Sequence, residues 1–216
     1  MVNIFLHGKF IPVFEKNNFI IKLDEYVFEK VCKDIKVLKN KIKNMPIISV
    51  NISKETLIEN NFLEKYLRIL GKYKINASEI ELEITEGIAI NNELDIKEIL
   101  TKIKNKGFKI SIDDFGTGYS SLNMLQIMPI DIIKIDKSFI DKIDKFNNNE
   151  NLIEVIMMIA KKMNLKTVAE GVELKEQVEY LKSVKCDLIQ GYYYSKPIKL
   201  EDFIEYINMM NNKVEK

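Results

Sequence analysis

Short apolar runs with the two-residue period of β-strands alternate with longer runs of helical period along most of this chain. We read six strands, each followed by a helix. The predicted strands are Ile47–Ile52, Ile80–Thr85, Phe108–Asp113, Ile132–Asp136, Thr167–Glu170 and Leu188–Tyr192. Strands that alternate with helices form a parallel sheet covered by helices. The pattern therefore predicts an α/β fold with two strands fewer than a closed eight-stranded (β/α) barrel.

The helices are predicted from apolar residues that recur every three or four positions. After an irregular start, they are Leu23–Lys43, Leu63–Tyr73, Leu94–Lys106, a short one near Ser121–Met128, Leu152–Met163, Lys175–Lys185 and Glu201–Met210. The polar segment Lys145–Glu150 reads as a loop. We find no linker or internal repeat, so residues 1–216 are predicted to form one domain.

Composition removes several classes of function. With 33 basic and 32 acidic residues, the formal net charge of +1 gives no electrostatic case for a nucleic-acid polymer or a membrane surface. The longest apolar run, Val155–Ala160, is too short to span a bilayer. Arg68 is the only arginine, so bound phosphate must be held by metal, lysine or backbone groups.

Histidine and cysteine chemistry is equally limited. His7 is the only histidine, which excludes Ser-His and Cys-His triads. Cys32 and Cys186 lack the spacing of zinc or redox motifs and are interpreted as reduced thiols of a cytoplasmic protein. Chemistry in this chain must come from carboxylates, amides and lysines.

Two adjacent carboxylates, Asp113 and Asp114, end the third predicted strand and precede a loop with two glycines. Neighbouring side chains point to opposite faces of a regular strand, so we expect these two to converge only where the strand ends and the backbone turns. Their mutual repulsion there would favour a bound cation. Taken alone, the same residues also fit an Asx-type turn in which Asp caps the following helix.

Each predicted strand has one apolar face, and its other face ends in a polar residue at or near the carboxyl end. These residues are Asn51, Glu83, Asp113, Lys134, Glu170 and Gln190. Each one singly fits an ordinary exposed strand end, but their recurrence in phase on six strands favours a shared site at the barrel mouth. Carboxylate and amide oxygens suit Mg2+ or Mn2+ rather than zinc. The residues therefore point to metal-dependent phosphoryl chemistry, with Lys134 stabilising charge or holding the attacking water.

The motifs that carry these residues resemble those of EAL domains, the bacterial phosphodiesterases that cut cyclic di-GMP to linear pGpG. In chain order they are Asn51-Ile52-Ser53, Glu81–Glu86, Asp113–Leu122, Lys134-Ile135-Asp136, Ala169–Glu173 and Gln190-Gly191-Tyr192. The resemblance runs from about Phe10-Ile11-Pro12 to the C-terminus. It implies a modified TIM barrel, an EAL-type (β/α) barrel with two bound Mg2+ or Mn2+ ions and cyclic di-GMP as substrate.

The resemblance also assigns roles to single residues. Asn51, Glu83 and Asp113 would bind one ion, and Asp113, Asp114 and Glu170 the other. Lys134 would sit beside the hydrolytic water, so that Lys134, Glu170 and Asp113 form the catalytic set, and Gln190 with Lys134 would contact the substrate. Glu86 would anchor the loop Phe115–Ser121, which in the family couples dimerisation to metal binding; a capping or surface carboxylate is the other reading of Glu86.

The chain also departs from the family pattern. EAL domains open with a strand that ends in Gln-Pro and a second strand that carries Glu-Ala-Leu and an arginine, and we find neither ahead of Phe10. We therefore expect an incomplete barrel with about six of eight strands, a weakened first metal site, and a homodimer or a partner chain that supplies the missing strands. The alternative to an active phosphodiesterase is a catalytically degenerate EAL domain that acts in cyclic di-GMP signalling as a regulatory or protein-interaction module.

Overall fold

A single parallel sheet organises the molecule, whose computed structural model describes residues 7–89, 93–117, 122–143 and 150–214. Six strands lie in the order β1-β2-β3-β4-β5-β6, and every neighbouring pair is parallel. They are β1 (Ile48–Asn51), β2 (Ile80–Thr85), β3 (Lys109–Phe115), β4 (Ile132–Ile135), β5 (Lys166–Ala169) and β6 (Leu188–Ile189). Strands that neighbour each other in chain order, with helices between them, form an incomplete barrel, as predicted.

Helices connect the strands. In the described ranges they are α1 (His7–Lys16), α2 (Ile20–Leu38), α3 (Lys54–Leu57), α4 (Phe62–Tyr73), α5 (Glu93–Asn105), α6 (Leu122–Ile127), α7 (Lys137–Ile140), α8 (Glu150–Lys162), α9 (Lys175–Ser183) and α10 (Leu200–Val214). Single 3-10 turns occupy Ala77–Glu79 and Glu86–Ala89. In the part of the chain that these ranges cover, none of the helices combines the length and apolar character required to cross a bilayer.

The N-terminal segment differs from the sequence prediction. The sequence predicted an irregular start, which is wrong for residues 7–16 because they form α1. The aromatic rings of Phe10 and Phe14 lie one helical turn apart, with their centroids separated by 5.4 Å. This spacing of four residues was the overlooked helical signal. Helix α2 ends at Leu38 rather than Lys43, although Ile42 beyond it is still buried. Buried apolar residues continue beyond the end of α2, so the spacing of apolar residues predicted a helix that is too long.

The core lies between the sheet and the helices. Ile80, Leu82 and Ile84 of β2 are almost fully buried, as expected for the apolar face of a strand. On the helical side, the rings of Phe28 and Tyr66 pack with centroids 4.1 Å apart and join α2 to α4. The opposite face of β2 is buried too, because it faces the inside of the barrel.

Pairing register aligns the carboxyl ends of the strands. Asn51 of β1 is opposite Glu83 of β2, and Thr85 of β2 is opposite Asp113 of β3. At the other side of the sheet, Ile135 of β4 is opposite Ala169 of β5, immediately before the next polar residue. The polar residues predicted from the strand pattern therefore come to one end of the sheet.

The loops that follow β5 and β6 are fastened to each other at this same end. Val172 N donates to the Gln190 carbonyl at 3.1 Å, and Tyr193 N donates to the Val172 carbonyl at 3.0 Å. A Cβ atom placed on Gly191 would lie 2.0 Å from the Val172 carbonyl oxygen. Only glycine allows the two backbones to come this close.

We expect Gly191→Ala to destabilise the fold by about 1–3 kcal/mol, because the added methyl group forces two hydrogen-bonded loops apart. Gly71→Ala is the matched control, since a Cβ there meets nothing within 4 Å and alanine is the better helix former by about 1 kcal/mol. Urea denaturation measures the unfolding free energy of both variants, which should fall for Gly191→Ala and rise for Gly71→Ala. Equal stabilities for the two variants would contradict the close approach at Gly191.

Candidate functional site

A β-bulge in β3 brings the two adjacent aspartates together. Ile112 pairs with Ile133 and Phe115 pairs with Ile135, so β3 contains one residue more than β4 across the same span. Asp114 takes the left-handed backbone conformation, with φ of 54°. The prediction that the strand ends at Asp113 was wrong, because β3 continues to Phe115. The aspartates converge because the strand kinks at the extra residue.

The ammonium group of Lys134 lies among carboxylates from three other strands or strand ends. Its Nζ is 2.8 Å from Glu83 Oε2, 2.7 Å from Glu170 Oε1 and 3.2 Å from Asp113 Oδ1. The Lys134 side chain is only 4% exposed. We call these four residues the Lys134 cluster. Their association across β2, β3, β4 and the end of β5 is what the in-phase pattern of strand ends predicted.

The charges of this cluster alter the proton affinities of its members. Burial alone would lower the pKa of Lys134, but the charges of Glu83 and Glu170 outweigh it and raise this pKa above the ordinary value for lysine. Burial raises the pKa of Glu170, and the neighbouring Asp113 and Glu83 charges add to the effect against the opposing hydrogen bond from Lys134. Burial and the Asp113 charge also raise the pKa of Asp114. A single ammonium faces several carboxylates, so the site carries excess negative charge.

Three carboxylates of the site have the spacing of cation ligands. One oxygen from each of Asp113, Asp114 and Glu170 lies within 4.8 Å of the other two. Asp113 Oδ1 is buried and receives no hydrogen bond, since its contact with Lys134 Nζ lacks hydrogen-bonding geometry. Hard divalent cations take such all-oxygen ligand sets. This carboxylate triad therefore fits a hard divalent cation, both in its donor atoms and in its uncompensated charge.

The second predicted ligand set, Asn51, Glu83 and Asp113, comes from the neighbouring strands β1, β2 and β3. Asn51 is opposite Glu83 in the β1–β2 register and has an exposed side chain. The Glu83 carboxylate is buried and contacts Lys134. The structure therefore places the three strands that carry this set side by side, with Asn51 and Glu83 in register.

The predicted loop anchor, Glu86, contacts the loop after β3. Glu86 is buried, and its Oε2 accepts a hydrogen bond from Gly116 N at 3.2 Å. Gly116 has φ of 94°, a conformation that favours glycine. Residues 118–121 of the predicted loop Phe115–Ser121 lie outside the described residues. This hydrogen bond joins the residue after β2 to the start of the loop. That the loop couples dimerisation to metal binding stays a prediction.

Gln190 lines a cavity that none of the four residues of the Lys134 cluster lines. Its side chain is exposed, and its backbone N donates to the Ala169 carbonyl at 2.8 Å. The cavity has a volume of about 740 Å3, and Gly171, which directly follows Glu170, and Tyr192 also line it. This volume is within the range of small-ligand sites. The only link between this cavity and the Lys134 cluster that the described residues show is the chain step from Gly171 to Glu170.

Sequence reasoning missed a buried hydrogen-bond network next to Asn51. Asp24 of α2 is 8% exposed and accepts hydrogen bonds from Ser53 and Thr56. Ser53 belongs to a motif that the sequence singled out, and the Ser-x-x-Thr spacing of a helix cap was visible there. Nothing in the sequence linked either residue to Asp24, which is 29 residues from Ser53 in the chain.

Comparison with curated proteins finds relatives over most of the chain. Signaling protein YkoW of Bacillus subtilis is 34% identical over 200 residues, which cover 93% of this chain and 25% of the relative. Cyclic di-GMP phosphodiesterase NbdA of Pseudomonas aeruginosa is 34% identical over 199 residues, with 92% and 25% covered. The chain spans about a quarter of the length of these two relatives.

Solved structures show the same fold. The PaMucR phosphodiesterase in complex with c-di-GMP superposes with a TM-score of 0.86 at 31% identity, covering 91% of this chain and 80% of that one. The family model described as EAL domain matches residues 3–197. This match covers most of the chain, including every strand of the sheet and the whole Lys134 cluster. The chain therefore belongs to the EAL domain family.

Proposed function

We propose that this chain is a cyclic di-GMP phosphodiesterase domain that hydrolyses the cyclic dinucleotide to linear pGpG. The observation that carries the proposal is the carboxylate triad, whose three oxygens lie within 4.8 Å of one another next to a buried lysine. The relative NbdA is named as an enzyme of this activity, and PaMucR binds this ligand in its solved structure. The reaction adds one water molecule across one P–O bond and opens the ring.

Two divalent ions, Mg2+ or Mn2+, would be held at the strand ends. Asp113, Asp114 and Glu170 would hold one, and Asn51, Glu83 and Asp113 would hold the other. When bound, such ions make a water molecule nucleophilic at neutral pH and neutralise charge on the phosphate and the leaving oxygen. The carboxylates of this chain supply the negative charge that retains them.

Lys134 acts as a charged hydrogen-bond donor in this proposal. The charges of Glu83 and Glu170 raise the pKa of Lys134 and favour the ammonium form, which donates hydrogen bonds. From its position between Glu83 and Glu170 it would orient the attacking water and offset charge that develops on the phosphate. Together with Asp113 and Glu170 it forms the proposed catalytic set.

Gln190 and Tyr192 would contact the part of the dinucleotide that lies away from the carboxylate triad, since the cavity that they line includes no residue of the triad. Gln190 offers amide groups to a base or phosphate, and the exposed ring of Tyr192 offers an apolar surface to a base. The phosphate itself would depend on the bound ions and Lys134, because the only arginine of the chain, Arg68, lies exposed on α4.

That position of Arg68 favours a second candidate, an EAL domain that binds cyclic di-GMP and regulates a partner without hydrolysing it. Lysine holds phosphate as a point charge, whereas arginine fixes it with two parallel hydrogen bonds. A site without arginine therefore orients the phosphodiester less tightly. In this form the chain would act as a homodimer or with a partner chain.

The decisive assay is incubation with cyclic di-GMP and Mn2+, resolved by chromatography. We expect the native chain to produce pGpG and Asp114→Asn to lose about 100-fold or more in rate. Even residues that only hydrogen-bond to metal ligands change metal affinity or activity about 10–100-fold when mutated, and Asp114 is proposed as a ligand itself. Glu64→Gln on the exposed side of α4 is the charge-matched control and should keep full activity. Binding of the dinucleotide without product would select the regulatory candidate, and neither binding nor product would reject both.

A second prediction concerns the charge balance of the Lys134 cluster. Lys134→Met leaves buried carboxylates uncompensated, so we expect a loss of about 3 kcal/mol in unfolding free energy when EDTA is present. Added Mn2+ should reduce this loss, because the ion replaces the missing positive charge.

Urea denaturation with EDTA and with Mn2+ measures both values. Lys175→Met, which removes an exposed ion pair with Glu179, is the control and should change stability little in either condition. An equal loss for Lys134→Met in both conditions would contradict a cation site among these carboxylates.

The third prediction concerns pH. Burial raises the pKa values of Asp114 and Glu170 above the ordinary 3.8 and 4.5, and metal binding requires both groups in the ionised form. Mn2+ affinity should therefore rise with pH through a window above those ordinary values, and binding within it should release protons. Calorimetric titration in buffers of different ionisation enthalpy detects this release, and an affinity that does not vary across the window would contradict the assignment.

A further inference from the structure

A carboxylate outside the Lys134 cluster, Asp24 near the start of α2, accepts several hydrogen bonds. Its Oδ2 accepts hydrogen bonds from Ser53 N at 3.0 Å, Ser53 Oγ at 2.6 Å and Thr56 Oγ1 at 2.7 Å. The residue is buried, with 8% of its surface exposed. Three donors that converge on one carboxylate oxygen hold the segment after β1 against α2.

We infer that Asp24 is a positioning residue, which fixes Asn51 at the barrel mouth for cation binding beside Glu83. The inference rests on the proposed function, in which Asn51 is a metal ligand. Asp24 itself touches neither substrate nor metal in this assignment. It acts through Ser53, which is two residues after Asn51 in the chain.

The shortest contacts assign the donors of the network. Each hydroxyl has one proton, and the contacts with Asp24 are the shortest that Ser53 Oγ and Thr56 Oγ1 make. Ser53 Oγ is then free to accept from Thr56 N at 3.2 Å, which caps α3. All three donors thus depend on a single acceptor, so loss of the Asp24 charge affects the whole turn.

Asn51 needs such support because of where it lies in the sheet. In the described sheet β1 has four residues and pairs with β2 alone. Beyond Asn51 the pairing continues through one hydrogen bond, from Ile52 N to the Glu83 carbonyl at 2.9 Å. The Asp24 network holds the other side of the same segment, so the backbone that follows Asn51 is fixed from two directions.

The chemistry of an amide ligand makes this fixation important. Asn51 carries no net charge, so it attracts a cation only through a correctly placed carbonyl dipole. Glu83 can compensate for a small displacement by its charge, whereas an amide cannot. Residues that hydrogen-bond to metal ligands and orient them contribute about 10–100-fold to metal affinity.

The test compares Asp24→Asn with Glu25→Gln, a substitution that removes one negative charge from the next residue of α2. Glu25 pairs at 3.9 Å with Lys65, which belongs to α4 and not to the segment after β1. Mn2+ titration by calorimetry is run on both variants, on the native protein, and on Asn51→Ala. The last variant identifies which Mn2+ site depends on Asn51.

We expect Asp24→Asn to weaken that site 10–100-fold and to leave the site of Asp113, Asp114 and Glu170 unchanged, while Glu25→Gln alters neither. Should Asp24→Asn fail to fold, Ser53→Ala removes one donor, keeps the carboxylate and should give a smaller change in the same direction. Lower stability with unchanged affinity at the Asn51-dependent site would overturn the inference and leave Asp24 a purely structural role.

A second readout needs neither metal nor activity. The side-chain amide resonances of Asn51, assigned by their absence in Asn51→Ala, should shift or broaden in metal-free Asp24→Asn and stay in place in Glu25→Gln. If the native protein neither binds Mn2+ nor hydrolyses cyclic di-GMP, the proposed function fails, yet these resonances still decide whether Asp24 positions Asn51. Identical spectra for the native protein and Asp24→Asn would overturn the inference.

Discussion

The structure of the barrel mouth depends on one buried ammonium group. Lys134 brings together carboxylates from the ends of β2, β3 and β5, which would otherwise repel one another in a poorly solvated site. One lysine cannot neutralise them all. The surplus negative charge is the physical reason why we propose a divalent cation at this site, and it connects the fold of the strands to the proposed chemistry.

Backbone geometry contributes as much as charge. Without the bulge in β3, Asp113 and Asp114 would point to opposite faces of the sheet, and one of them would be lost to the site. The extra residue and the left-handed conformation of Asp114 let both serve the same face. Glu86 holds the backbone just beyond this kink through Gly116. The site is thus built from a local distortion that the surrounding contacts keep in place.

Much of this arrangement could be predicted from the sequence, because it follows from local periodicity. The bounds of β2 were predicted without error, and each of the six strands lies where an apolar run placed it. Helix α1 was missed, because Pro12 concealed a short helix whose signal is a pair of aromatic residues. The Asp24 network was missed for another reason, since it joins residues far apart in the chain.

By itself the sequence determined the α/β class, the count of six strands and the identity of the polar residues at their ends, because strand and helix periods are local properties of a chain. Only the tertiary structure decided which of these residues meet. The Lys134 contacts, the convergence at the bulge and the support that Asp24 gives the segment after Asn51 depend on register and packing between distant elements. Such contacts leave no periodic trace in the sequence, so they emerge only when the strands are assembled.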